Sequence, residues 1–132
     1  MSRNQPTIGT VARQVGINVE TIRYYQRIGL VKEPPKSGGF RFYTEKTVER
    51  LLFIRRLKTL GFTLREVTGL LEVSQNDCHA VSRILENKHA EILQKIDQLH
   101  LAADELQQMN RDCLDQSSCS GSLPCPNIPG PE

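Results

Sequence analysis

No tryptophan occurs in this 132-residue chain, and aromatic side chains make up only 5% of it, which leaves little from which to build an aromatic-walled pocket. No window approaches the roughly 18 apolar residues that a membrane-spanning helix needs, so a transmembrane segment is excluded from the reading. The start, Met1-Ser2-Arg3-Asn4-Gln5-Pro6, has no apolar run of the kind that marks a secretory leader, and the expectation is a cytoplasmic chain. Also missing are a Ser/His/Asp arrangement, a glycine-rich phosphate loop and a paired-carboxylate motif, so an enzyme is not expected. What remains, at 38% hydrophobic residues, is a soluble and mostly helical protein with room for one compact domain and an extension.

The formal net charge of +2 conceals an asymmetry. Residues 1–61 hold twelve Lys and Arg against four Glu, a balance of +8, whereas residues 62–132 hold five basic against eleven acidic groups, a balance of −6. The first part is suited to a polyanion and the second is not. All four cysteines, Cys78, Cys113, Cys119 and Cys125, lie in the acidic part. In a reducing compartment such a cluster points to metal binding or redox chemistry rather than to a disulfide framework.

In the basic part, Thr10 is placed to cap a short helix over Val11–Val15 that ends at Gly16, and Asn18 to cap a second over Val19–Arg27 that stops at Gly29. Val11, Val15, Ile17 and Ile22 pack the pair into a helix-turn-helix. Pro34 and Pro35 forbid further helix, Lys36-Ser37-Gly38-Gly39 reads as a turn, and Phe40–Tyr43 returns as a strand, giving the wing of a winged helix. Thr44 then caps a third helix, and Thr63-Leu64-Arg65-Glu66 has the capping-box pattern of a fourth. With the second helix in a DNA major groove, Arg23 and Tyr24 meet the duplex with Thr21 and Arg27 beside them, Arg41 and Tyr43 reach the backbone from the wing, and Arg13 does so from the first helix. The competing reading of Tyr24, Tyr25 and Tyr43 is that they are core aromatics.

From Asp77 to Cys113 there is neither Pro nor Gly, and Val81, Leu85, Ile92, Ile96, Leu99, Ala103, Leu106 and Met109 recur mostly at steps of three and four. This is the seam of a coiled-coil helix, which needs a partner helix and finds the simplest one in a homodimer. Rise per residue sets Cys78 and Cys113 about 50 Å apart along it, too far to share an ion within one subunit. In an antiparallel pair, Cys78 of one subunit lies beside Cys113 of the other, and the following loop can bring Cys119 or Cys125 to the same place. The expected domains are therefore 6–75 for DNA reading, 76–112 for dimerisation and 113–132 as a metal-binding loop and tail. Thiolates without a carboxylate cluster select soft or borderline ions such as Hg(II), Pb(II), Cd(II), Zn(II) or Cu(I) over Mg(II) and Ca(II). His79 and His89 read as surface or packing residues.

Thr7-Ile8-Gly9 with Ala12, Val19-Glu20-Thr21-Ile22-Arg23-Tyr24-Tyr25, Gly29-Leu30, Arg41-Phe42-Tyr43, Phe53-Ile54 and Leu60-Gly61-Phe62-Thr63-Leu64 together resemble the signature of the MerR family of transcription regulators. The resemblance implies a dimer on a two-fold promoter element with an overlong spacer, acting with RNA polymerase, repressing without its signal and activating when the bound signal distorts the spacer. The 35-residue offset from Cys78 to Cys113 and the Cys125-Pro126 pair resemble the three-thiolate pattern of the mercury(II) regulators that control resistance genes. The loop here is longer and carries the additional Cys119, so either Cys119 or Cys125 is open as the third sulfur, with Cys125 favoured for the proline after it. Copper-group sensors of the family carry Ser where this chain has Cys78, which implies a divalent ion: Hg(II) first, then Pb(II), Cd(II) or Zn(II). A thiol-redox regulator and a metal-independent DNA-binding dimer are the alternatives.

Overall fold

The computed structural model describes residues 5–115, 121 and 124–132. It is mostly helical, with α1 (Ile8–Val15), α2 (Val19–Arg27), β1 (Lys36–Ser37), β2 (Phe40–Arg41), α3 (Glu45–Thr59), α4 (Leu64–Val73) and α5 (Cys78–Leu114) in order. The first compact unit ends at Val81 and the second begins at Ser82. Among the described residues no helix is long and apolar enough to cross a membrane.

Local chemistry accounts for most helix ends in the first unit. Gly16 follows α1 at φ 80°, the left-handed region that glycine enters without steric cost, and its amide returns to the Ala12 carbonyl. The Asn18 side chain accepts from the Thr21 amide at 2.7 Å and opens α2. Thr44 caps α3 by accepting from Thr47. Thr63 and Glu66 form a reciprocal capping box that opens α4. One start differs from expectation. The first helix begins at Ile8, with Thr7 rather than Thr10 at the cap position, because the Thr7 carbonyl already accepts from Val11 and draws Thr10 into the first turn.

The hairpin also shifts. Lys36 pairs with Arg41 and Ser37 with Phe40, so Gly38 and Gly39 alone make the turn, both at positive φ (59° and 84°). Two such residues match a two-residue turn of the I′ kind. The returning strand does not extend to Tyr43, because the Tyr43 amide leaves the ladder and donates to the Pro6 carbonyl at 2.9 Å.

α1 packs against both α2 and α3, and α3 against α4. Val11, Val15, Ile22, Tyr43, Leu51, Ile54, Val67 and Leu70 are fully buried between them. Burying a branched aliphatic side chain of this size is worth about 1.5–3 kcal/mol, and this shared core holds the helix-turn-helix against α3.

α5 is one uninterrupted helix of 37 residues. Its seam is open to solvent within one chain: Leu85, Ile96, Leu99, Leu106 and Met109 are all exposed. In the second unit Lys88 is buried, and its ammonium meets Glu91 at 2.8 Å one helical turn away.

Candidate DNA interface and thiol pair

A surface groove of about 490 Å³ runs between the start of α1, the outer face of α2 and the hairpin, with Arg23, Arg27 and Arg41 on its walls and Phe40 at the rim. Three guanidinium groups against the single carboxylate of Glu33 give the groove a net positive lining. Arg23 is exposed and lies 2.8 Å from Glu20, an exposed pair of the kind worth under about 1 kcal/mol and easily exchanged for a phosphate or a base edge. Arg27 sits over the Tyr24 ring at 5.8 Å from its centroid, and Tyr24 is itself half exposed. Thr21 donates its hydroxyl to the Asn18 side chain at 2.7 Å, which ties it to the helix start. Arg13 is exposed on α1. Arg41 is more committed, since its Nη1 donates to the Pro34 carbonyl at 2.6 Å and its Nε lies 3.2 Å from Glu33.

Tyr43 corrects the sequence reading. It is only 1% exposed, and its hydroxyl accepts a hydrogen bond from Gln26 Nε2 at 2.6 Å. A phenol held this way forms the floor of the groove and does not reach out to a phosphate. The wing was expected to carry Tyr43 outward, but release of the strand at Phe42 turns it inward. Tyr25 is a core residue as well, and burial, then the neighbouring Tyr24, holds its phenol above the usual range. Of the three tyrosines, Tyr24 alone remains available on the outer side of α2.

The second arrangement lies at the far end of α5. Cys113 Sγ and Cys125 Sγ are 3.4 Å apart, well beyond the roughly 2.05 Å of a disulfide. The backbone amide of Asn127 facing the sulfur holds the Cys125 thiol below its usual range, and the Cys113 thiol and the Ile128 amide act in the same direction against burial. A tetrahedral ion with bonds of about 2.3 Å sets two sulfurs about 3.8 Å apart, so the pair fits one thiophilic ion after opening by a few tenths of an ångström. Two sulfurs do not complete a site. Among the described residues no three His, Cys, Asp or Glu side chains gather within the chain. Cys78 is exposed at the other end of the same helix, and Cys119 lies outside the described residues.

Residues 7–73 match the description of the MerR helix-turn-helix family of regulatory proteins, and residues 48–109 match the MerR DNA-binding family. The chain belongs to the MerR family. A mercuric resistance operon regulatory protein from Bacillus cereus is 40% identical to it over 110 residues, covering 80% of this chain and 83% of the relative. The crystal structure of a MerR regulator from Bacillus megaterium in complex with mercury(II) is 35% identical, with a TM-score of 0.67 over 89% of this chain and 91% of the other. A lead(II)-bound transcription regulator from Ralstonia metallidurans is 32% identical, with a TM-score of 0.71 over 95% of each chain. The family is one of transcription regulators that bind promoter DNA.

Two groove residues of this MerR-family chain escaped the sequence reading. Gln26 carries no signal in the sequence, yet it is the hydrogen-bond partner of Tyr43. Phe40, which the sequence marks only as strand, is 64% exposed at the hairpin. An aromatic next to a Gly-Gly turn was the available signal for it.

Proposed function

We propose that this MerR-family chain is a homodimeric, cytoplasmic, metal-responsive switch that represses its promoter without metal and activates it with RNA polymerase when the ion is bound. The observation that carries this reading is the pair of sulfurs, Cys113 and Cys125, 3.4 Å apart at the end of a long helix with an exposed apolar seam. The seam is covered by an antiparallel second copy, which brings Cys78 of the partner subunit beside Cys113 and Cys125 and completes a three-thiolate site, built twice per dimer. Residues 6–75 read DNA through Arg13, Thr21, Arg23, Tyr24, Arg27 and Arg41. Residues 76–112 form the dimer helix and 113–132 the metal loop.

A ligand shifts an equilibrium only by binding one arrangement better than another. A site completed by donors from two subunits has that property, because it is whole only in the arrangement that brings the donors together. In that arrangement the two DNA-reading units are repositioned and the promoter spacer is distorted.

Mercury(II), at a resistance promoter, is the first assignment, supported by the thiolate-only donor set and the mercuric resistance relatives at 36–40% identity. Lead(II) is the second, supported by the likeness to the lead(II)-bound regulator. The test is a titration of the reduced protein with Hg(II), Pb(II), Cd(II) and Zn(II), following the ultraviolet thiolate-to-metal band together with transcription from the cognate promoter. Saturation with Hg(II) at the lowest concentration, accompanied by activation, supports the first assignment. Saturation without any change in transcription contradicts the switch.

A further inference from the structure

α3 bears two arginines whose side chains leave their own helix for backbone carbonyls in the segments that precede and follow the recognition helix. Arg55 Nη1 donates to the Val15 carbonyl at 2.6 Å, immediately before the turn that leads into α2. Arg50 Nε donates to the Leu30 carbonyl at 2.6 Å, three residues past the last residue of α2. Helical geometry places the two residues on opposite flanks of the buried stripe Val48, Leu51, Ile54 and Leu57, so they reach around the core from either side.

Both acceptors suit a cation. Val15 is the last residue of α1, where carbonyls lack an intrahelical partner and the helix dipole favours positive charge. Gly16 leaves room for the guanidinium, since a Cβ there would meet Arg55 Nη1 at 2.9 Å. Leu30 is itself buried, and its amide turns back to the Tyr25 carbonyl.

We infer that Arg50 and Arg55 are positioning residues for DNA recognition: their guanidinium groups grip the entry and exit of α2 and set its angle relative to α3, without themselves meeting the DNA. The inference rests on the DNA-binding assignment of the first unit. Charge-assisted hydrogen bonds are shorter and roughly twice as strong as neutral ones, so losing either grip loosens the helix that reads the bases.

The experiment uses the full-length protein and a duplex selected by the wild type from a randomised two-fold-symmetric library, with an unselected duplex as control. Selection of a defined sequence by the wild type is the separate check on the DNA-binding assignment. For Arg50→Gln and Arg55→Gln the expected result is about tenfold weaker binding to the selected duplex. Binding to the unselected duplex stays unchanged, as does the slope of log affinity against log salt. A residue touching a phosphate changes that slope by about 0.9. Wild-type affinity in both variants, or a slope reduced by about one phosphate, overturns the inference. If either Gln variant loses helical circular dichroism, Arg→Lys at the same position takes its place: it keeps the charge but not the planar fork. Weaker selected binding at unchanged slope then supports the inference, and wild-type binding overturns it.

Discussion

Replacing Tyr43 by Phe separates two roles that its sequence position allows. The hydroxyl is buried and accepts from Gln26 Nε2 at 2.6 Å, so the substitution removes one hydrogen bond and leaves an amide donor facing a ring edge. A typical intramolecular hydrogen bond contributes about 0.5–1.5 kcal/mol net. Gln26 is half-buried, so water recovers part of the loss and the expected cost falls near the lower end of that range. For a unit of this size about 1 kcal/mol corresponds to roughly 4–8 °C, and the melting temperature should fall by a few degrees. The assay is thermal and urea unfolding at fixed protein concentration, since the proposed association of two chains would make the midpoint concentration-dependent, run beside operator binding at several salt concentrations. Affinity should change less than threefold. An unchanged melting temperature with a tenfold loss of DNA affinity would refute the reasoning and return the Tyr43 hydroxyl to the DNA surface.

Arg23→Ala should weaken operator binding by about 1–3 kcal/mol, roughly ten- to a hundredfold, while metal uptake and the dimer persist; unchanged affinity in a gel-shift titration removes Arg23 from the contacts. Thr63→Ala breaks the capping box at the start of α4 and should cost about 1 kcal/mol in urea unfolding, and a loss below about 0.3 kcal/mol contradicts the cap. Because the Asn127 amide and the Cys113 thiol lower the Cys125 pKa, more thiolate is present at neutral pH in the folded chain than in the unfolded one. Peptide-resolved alkylation at pH 7 should therefore label Cys125 faster before than after adding denaturant, with the difference closing as pH rises through the ordinary thiol range; equal rates at pH 7 contradict that environment.

The parts of this molecule that can be read from its sequence are those decided within a few residues. Asn18, Thr44 and the Thr63–Glu66 box cap their own helices, and Gly16 and Gly29 end theirs at positive φ, so these boundaries follow from the local residues. The long seam of α5 is legible for the same reason, since period alone reports it. What escaped depends on distant partners. Tyr43 turns inward because its amide finds Pro6 and its hydroxyl finds Gln26, and neither is visible from the wing sequence. Nothing local separates Arg50 and Arg55 from the other basic residues, because their acceptors, the Leu30 and Val15 carbonyls, lie 20 and 40 positions away. The cysteine spacing points to a site but not to its sulfurs. Cys113 and Cys125 lie 3.4 Å apart across twelve positions of sequence, a meeting that spacing alone does not report, and the third donor of the proposed site is one that a single chain's sequence does not place.

The claim that the metal site is shared between subunits is tested most directly by mixing two defective chains. A Cys78→Ser chain keeps Cys113 and Cys125, while a Cys113→Ser, Cys125→Ser chain keeps Cys78. Neither homodimer should show the three-thiolate charge-transfer band with Hg(II) in the presence of a competing small thiol. The isolated heterodimer should regain it, with half the ion capacity of the wild-type dimer, because one complete set of sulfurs is restored. A heterodimer without the band, or a Cys78→Ser homodimer that binds and activates like the wild type, would contradict a site built across the dimer.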